Sequence, residues 1–296
     1  MPEPTTMSQF LCQGRSARTT PALALALAGA LAGCGENLSQ PPSREAASGS
    51  PPVELSCLPN LDGRIDAAEL EPALGVPARY VVTPPGLDRA VDLAGRDDPD
   101  YGKRWDLTID YADDQALELA PSALGGAWYS PYFPEGAFVT PFDAGGRLDS
   151  VLRTEADGLY LLGLVSHAEA PPEGVTRLVY EPPIRVLPFP IEVGVSYVSV
   201  GQISNGLVQG LPYAGQDTYQ VSVDGEGATD LPQLLFTHTH RVRTVVTVVP
   251  AVGASTVRRQ TSFFAECFGE VARASSLAEE PLDDFTTADE LRRLGF

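Results

Sequence analysis

The chain has 296 residues, with 20 basic against 39 acidic side chains and a formal net charge of −19. That balance excludes a nucleic-acid partner, since nothing neutralises phosphates, and it excludes an electrostatic hold on anionic lipid. Hydrophobic residues make up 43%, enough for a sizeable core.

The first feature in chain order is Leu23–Gly35, LALALAGALAGCG, preceded by Arg15 and Arg18. A basic start, an apolar run of about 11 residues and a small-residue end have the build of an export signal. The run is short of the roughly 20 apolar residues that a membrane span needs. Leu31-Ala32-Gly33-Cys34 resembles the lipobox of bacterial lipoproteins. The resemblance implies cleavage before Cys34, acylation of its thiol and new amino group, and, with Gly35 rather than aspartate following, the outer membrane of a Gram-negative cell. Residues 1–33 are then a signal peptide, and its loss makes the remainder one charge more negative, because it carries two arginines and one glutamate. No polybasic cluster flanks Cys34, so the anchor is the lipid alone; one chain binds marginally and two or more hold. Residues 34–56, rich in Ser, Pro, Gly and Ala, cannot bury enough surface to offset ordering entropy and form a flexible tether.

Residues 57–296 are expected to fold as one β-rich domain. With Cys12 in the signal and Cys34 acylated, Cys57 and Cys267 remain as an even pair, read as a disulfide between the domain's start and its last strands. Leu58–Glu69, LPNLDGRIDAAE, resembles an EF-hand calcium loop from its third position onward. On that resemblance Asn60 and Asp62 are side-chain ligands, Gly63 the sharp turn and Arg64 the carbonyl ligand. Asp66 stands at the ninth position and Glu69 at the bidentate twelfth. Leu58 stands where the family has aspartate, and the entering helix is missing. The alternative is an Asx turn into a helix capped by Asp66 with Glu69, needing no metal. A short helix is expected near 66–74.

Beyond it the pattern turns to strands. Tyr101–Tyr111 places Trp105, Leu107, Ile109 and Tyr111 on one face of a half-buried strand. Asp97, Asp98 and Asp100 before it read as solvated turn residues, although two carboxylates could in principle serve glycoside hydrolysis. Leu148–Arg153 and Leu159–Ser166 flank Ala156-Asp157-Gly158 as a hairpin. Glu181–Pro190, EPPIRVLPFP, has too many prolines for a central strand and is expected as an extended crossing over the sheet. With Gly194 and Tyr197 following, this part of the chain resembles a layout of secreted β-sheet envelope proteins of unknown role. Val195–Ser204 is expected to turn at Asn205-Gly206. Thr218–Asp224, with Tyr219, Val221 and Val223 inward, is expected to turn at Asp224-Gly225. Leu234–Val249 turns back through Pro250–Gly253 into Ser255–Ala274. The tail reads as a short helix over 286–294, Thr287 capping it with Glu290. The fold expected is mainly β, a single antiparallel meander sheet, curled into a half-barrel or stacked as a sandwich.

Three constellations could carry chemistry besides the 58–69 loop. His238 and His240 alternate in a strand and point to one face, beside Phe236 and Val242; that spacing could give zinc two ligands, with His167 or Glu266 as a third. Ser166 and His167 are adjacent and point to opposite faces, so they cannot pair. Arg241, Arg243, Arg258 and Arg259 lie on neighbouring strands and could hold an anion or pair with carboxylates. The sequence therefore leads to a lipid-anchored, non-catalytic binding or structural module without a cofactor, its ligand a lipid, peptide or envelope protein. A calcium-stabilised domain and a metal-dependent hydrolase on His238 and His240 are the alternatives.

Overall fold

The computed structural model describes residues 57–295; Cys34, its lipobox and the 34–56 tether lie outside them. Sixteen strands follow in chain order. They are β1 (Ala78–Val82), β2 (Arg89–Ala90), β3 (Arg96–Asp98), β4 (Gly102–Asp106), β5 (Gln115–Leu119), β6 (Ser122–Ala123), β7 (Phe138–Pro141) and β8 (Leu148–Glu155). Then come β9 (Gly158–Ser166), β10 (Arg177–Pro188), β11 (Ser196–Val208), β12 (Leu211–Asp230), β13 (Leu235–Pro250), β14 (Thr256–Ala265), β15 (Gly269–Ser276) and β16 (Thr287–Leu294). All belong to one sheet. Thirteen form its main path, β5-β1-β16 and then backwards through β15 to β6, so β6 to β16 is an unbroken meander. Pairing is antiparallel except where β4 runs parallel to β12. No described helix is long and apolar enough to cross a membrane.

The two edges of this path, β5 and β6, are joined by only Ala120 and Pro121. Three peptide steps reach no more than about 11 Å, whereas twelve strand spacings laid flat cover roughly 58 Å. The sheet must therefore roll until its edges nearly meet. The edges do not hydrogen-bond to each other, and a seam remains between them. The inner face carries Tyr180, Ile184, Ile203, Val221, Val223 and Val242. It is the concave one: on it Tyr180 of β10 reaches past β11 to Asp217 of β12, its hydroxyl donating to Oδ2 at 2.6 Å. On the outer face, Trp105 is fully buried against Phe263, with ring centroids 5.1 Å apart, and its indole N–H donates to the Leu93 carbonyl at 3.2 Å. Strands β2 to β4 and Phe285 cover that side. At the other end residues 124–137 cover β7 to β9, and the Phe133 ring sits where a Cβ on Gly163 would clash at 2.6 Å.

The N-terminal segment 57–75 straps one end of the roll. Cys57 is disulfide-bonded to Cys267, a sequence separation of 210, and closing so long a loop stabilises by about 5 kcal/mol in the chain-entropy model. The Asn60 and Leu61 amides donate to Glu266 Oε2 at 2.7 and 2.9 Å. Ile65 and Ile191 exchange two backbone hydrogen bonds of 3.0 and 2.8 Å. Gly75 N–H reaches the Pro121 carbonyl at 2.7 Å, beside the seam.

Several expectations are corrected. The tail 286–294 is not a helix but β16, held between β15 and β1. Pairing on both sides and the burial of Ala288, Leu291, Arg292 and Arg293 override the helical propensity of the segment. The helix near 66–74 shrinks to the 3₁₀ turn Ala67–Leu70. Glu181–Pro190 does not cross over the sheet: residues up to Pro188 belong to β10, between β9 and β11. Pro182 and Pro183 fall where pairing to β9 breaks, between Val179 and Ile184, so their missing N–H groups leave no ladder bond unmade. Asn205-Gly206 and Asp224-Gly225 are bulges inside β11 and β12 rather than turns. The strand expected over Tyr101–Tyr111 ends at Asp106, and Ile109 is exposed. The β8–β9 hairpin, the Pro250–Gly253 turn and the inward Tyr219, Val221 and Val223 stand as expected.

On the inner face Asp217 is buried; Tyr180 donates to its Oδ2 at 2.6 Å, while Oδ1 has no partner among the described residues. Burial pushes its pKa above the usual carboxylate value, partly offset by the Tyr180 hydroxyl. With the folded pKa raised, ionisation costs stability, and the cost grows as pH rises from about 4 through the folded value. Asp217→Asn removes that dependence. Urea unfolding at a series of pH values should show the variant gaining on the native chain across that window and a constant difference above it.

Candidate functional site

The 58–69 loop uses its own oxygens. Asn60 Oδ1 accepts from the Asp62 amide at 2.9 Å and Asp62 Oδ1 from the Arg64 amide at 3.2 Å, two successive Asx turns. Glu69 Oε2 accepts from the Asp66 amide at 2.8 Å, the return half of a capping box. The Arg64 guanidinium lies 3.5 Å from Asp62 and 3.4 Å from Asp66. A calcium ion would compete with this arginine for Asp62 and Asp66. Among the described residues no group of three His, Cys, Asp or Glu is arranged to hold a metal ion.

The histidine pair is divided between two tasks. His240 is buried with Nε2 at 3.1 Å from the Gly63 carbonyl, which makes it part of the strap. His238 is half exposed, 4.0 Å from Glu226. Phe236 packs with the Trp105 cluster and Val242 with Val221, so they do not share a face. Glu266, the expected third ligand, receives the strap amides instead. The arginines pair with carboxylates. Asp224 takes Arg241 at 2.7 Å and Arg243 at 2.6 Å, Asp289 takes Arg258 at 2.6 Å, and Asp283 takes Arg259. Asp97 and Asp98 are strand residues of β3 rather than turn residues and pair across to Lys103 and Arg104 of β4, while Asp100 lies in the turn between them.

Sequence reasoning missed the arrangement at the seam. Two clefts lie there, on either side of the short stretch Ala123–Gly126, and both are lined by Ala123 and Gly125. The first, of about 770 Å³, runs between the strap and the 123–138 stretch; Ala67, Leu74, Leu124, Phe133 and Phe138 give it apolar walls, and Glu71 and Glu135 are exposed at its lips. The second, of about 680 Å³, is polar at its floor. Asp149 on β8 lies there almost wholly buried, its side chain 4% exposed against 70% for His167. His167 Nδ1 lies 3.0 Å from Asp149 Oδ2, and the Tyr129 hydroxyl donates to the same oxygen at 2.8 Å. A carboxylate oxygen accepts, so in this contact Nδ1 is the donor. Burial, and then Asp149, push the Tyr129 pKa up, so this hydroxyl stays a donor. The Trp128 indole N–H donates to the Ser166 carbonyl at 3.0 Å and fixes the cleft wall. Ser166 takes no part: its Oγ accepts from the Thr176 amide at 2.7 Å.

No family model, curated protein or solved structure matches this chain. The seam is therefore read from its own geometry. The β8–β9 register brings its pair together: Asp149 lies opposite Val165, and His167 follows two residues on, on the same face. The hairpin was legible in the sequence, but the register shift between Val151 and Leu152 that brings the pair onto one face was not.

With its ligand oxygens already engaged, the 58–69 loop should not respond to calcium. Thermal unfolding of the oxidised chain in EDTA and in millimolar calcium should give the same Tm. Asp62→Ala should lower it in both buffers, by the loss of an Asx turn worth about 1 kcal/mol.

Proposed function

We propose that this chain is an exported lipoprotein, cleaved before Cys34 and acylated there, held in the outer membrane of a Gram-negative cell. Its rolled β-domain is the binding module, and an apolar chain-like ligand of the lipid class sits in the larger cleft at the seam. The observation that carries the binding reading is the cleft of about 770 Å³ with walls of Leu74, Leu124, Phe133 and Phe138, between the strap and the 123–138 stretch. Burying apolar ligand surface there is worth about 25 cal/mol per Å² before association costs. Glu71 and Glu135 at the lips, in a chain of net charge −19, disfavour an anionic headgroup. The ligand class is a neutral or cationic amphiphile, not a free fatty acid. The anchoring reading rests on Leu31-Ala32-Gly33-Cys34 and on the acidic composition, which leaves acylation as the means of attachment.

Each half has its own test. Full-length chain expressed in a Gram-negative host fed alkyne-palmitate should incorporate the label, and Cys34→Ser should lose it entirely; equal labelling of both would remove the anchor. The neutral dye N-phenyl-naphthylamine should brighten on binding the purified chain, and the anionic anilinonaphthalene sulfonate should brighten far less. Ala68→Trp, which fills the cleft from the strap side, should cut the neutral dye's affinity by tenfold or more, about 1.4 kcal/mol. Unchanged dye binding in that variant would remove the cleft as the site.

A further inference from the structure

We propose that the smaller cleft binds a neutral disaccharide, with Trp128 as its stacking face and His167 as its hydrogen-bonding partner. This site stands apart from the larger cleft and needs nothing from it.

The two side chains are held together by bonds of their own. The Trp128 indole N–H donates to the carbonyl of Ser166, the residue directly before His167. His167 Nδ1 and the hydroxyl of Tyr129, the residue directly after Trp128, meet at the same Asp149 oxygen, at 3.0 and 2.8 Å. Trp128 and His167 are thus fixed side by side before any ligand arrives. Glu169, two residues beyond His167, is exposed on the same cleft.

What these groups leave open defines the ligand. The indole N–H is spent, so the half-buried Trp128 offers the cleft its ring, a surface that suits the C–H face of a pyranose. The Asp149 side chain is 4% exposed and its Oδ2 already takes two donors, so it orients His167 rather than meeting a ligand. The lining holds Asp149 and Glu169 and no lysine or arginine, which excludes an anion. An alkyl chain would strip water from His167 and Glu169 and return nothing.

His167 Nε2 has no partner among the described residues. It accepts when the ring is neutral and donates when the ring is protonated, and an imidazole changes between the two near neutral pH. A hydroxyl both accepts and donates, so it satisfies Nε2 in either state. An ammonium group only donates, and the protonated ring repels it. The rest of the wall is short: Ala120, Ala123 and Ala127 help to leave about 680 Å³ open, within the roughly 300–1,000 Å³ of small-molecule sites.

The chain has two tryptophans, and Trp105 is fully buried, so intrinsic fluorescence reports on Trp128. Cellobiose and N,N′-diacetylchitobiose are titrated separately to about 10 mM into the purified oxidised chain. At least one should shift the emission saturably, with a Kd of about 1 mM or tighter. Calorimetry with that sugar should show His167→Ala, a change at an exposed side chain, weakening binding about threefold to tenfold, the share of one hydrogen bond. Trp128→Leu should lose more than Trp128→Phe, which keeps a ring, and His238→Ala should bind as the native chain does. No response to either sugar overturns the site, and so does binding that His167→Ala and Trp128→Leu leave intact. Saturable binding of methylammonium chloride in place of the sugars overturns it in favour of an ammonium site. A sugar that displaces N-phenyl-naphthylamine lies in the larger cleft and overturns the assignment. Dye binding without sugar binding overturns this site alone, whereas sugar binding without dye binding upholds it and removes only the larger cleft.

Discussion

Everything in this molecule follows from how short the chain is between its two outermost strands. Ala120 and Pro121 are all that separate β5 from β6, so the ends of a thirteen-strand path are tied together like the ends of a belt. The ladder in between has no choice but to curve, and bulges in β8 to β12 supply the bending. Because the tie is a loop and not a hydrogen-bonded ladder, the belt has a buckle. Both clefts are at that buckle, and the stretch that lines them follows the tie directly in sequence.

Polar groups are buried on the outer face of the sheet as well, beneath the segment that carries β2 to β4. Arg293 is fully buried, with its guanidinium donating to the Leu107 and Ile109 carbonyls and pairing with Asp114, which also takes Arg89. Buried pairs of this kind contribute little net stability against well-packed apolar groups, yet losing one partner is expensive. They therefore penalise a slip of β16 against its neighbours more than they strengthen the fold. Asp217 on the inner face is a carboxylate whose second oxygen has no partner among the described residues, and burial raises its pKa.

Much of the fold was legible in the sequence because period-two alternation and turn chemistry are local. The β8–β9 hairpin, the β13–β14 turn and the inward residues of β12 needed no more than that. The disulfide was legible by elimination, since two of the four cysteines were assigned elsewhere. What failed depended on distant pairing. Residues 286–294 read as a helix because Ala, Glu, Leu and Arg favour one, and pairing with β15 and with β1, some two hundred residues away, makes them a strand. Asn205-Gly206 and Asp224-Gly225 carry turn chemistry, but long strands on both sides absorb them as bulges. The seam pair needed one fact more. Counting back from Glu155 opposite Gly158 sets Leu164 opposite Asp149, on the wrong face for His167. A single bulge between Val151 and Leu152 moves Val165 there instead, and no residue in the sequence announces it.

The pairing of β16 with β1, and of Cys57 with Cys267, also fixes an order of events. β1 and β5 can pair with each other early, but they join the rest of the sheet only through β16, when nearly the last residues have arrived. A chain emerging through a narrow channel with its beginning first can build the meander from β6 onward as it comes. It cannot close the belt or seat the strap until the end is through. Early segments thus stay threadable for most of the passage, and the last eight-residue strand acts as the latch that turns a growing ribbon into a finished roll.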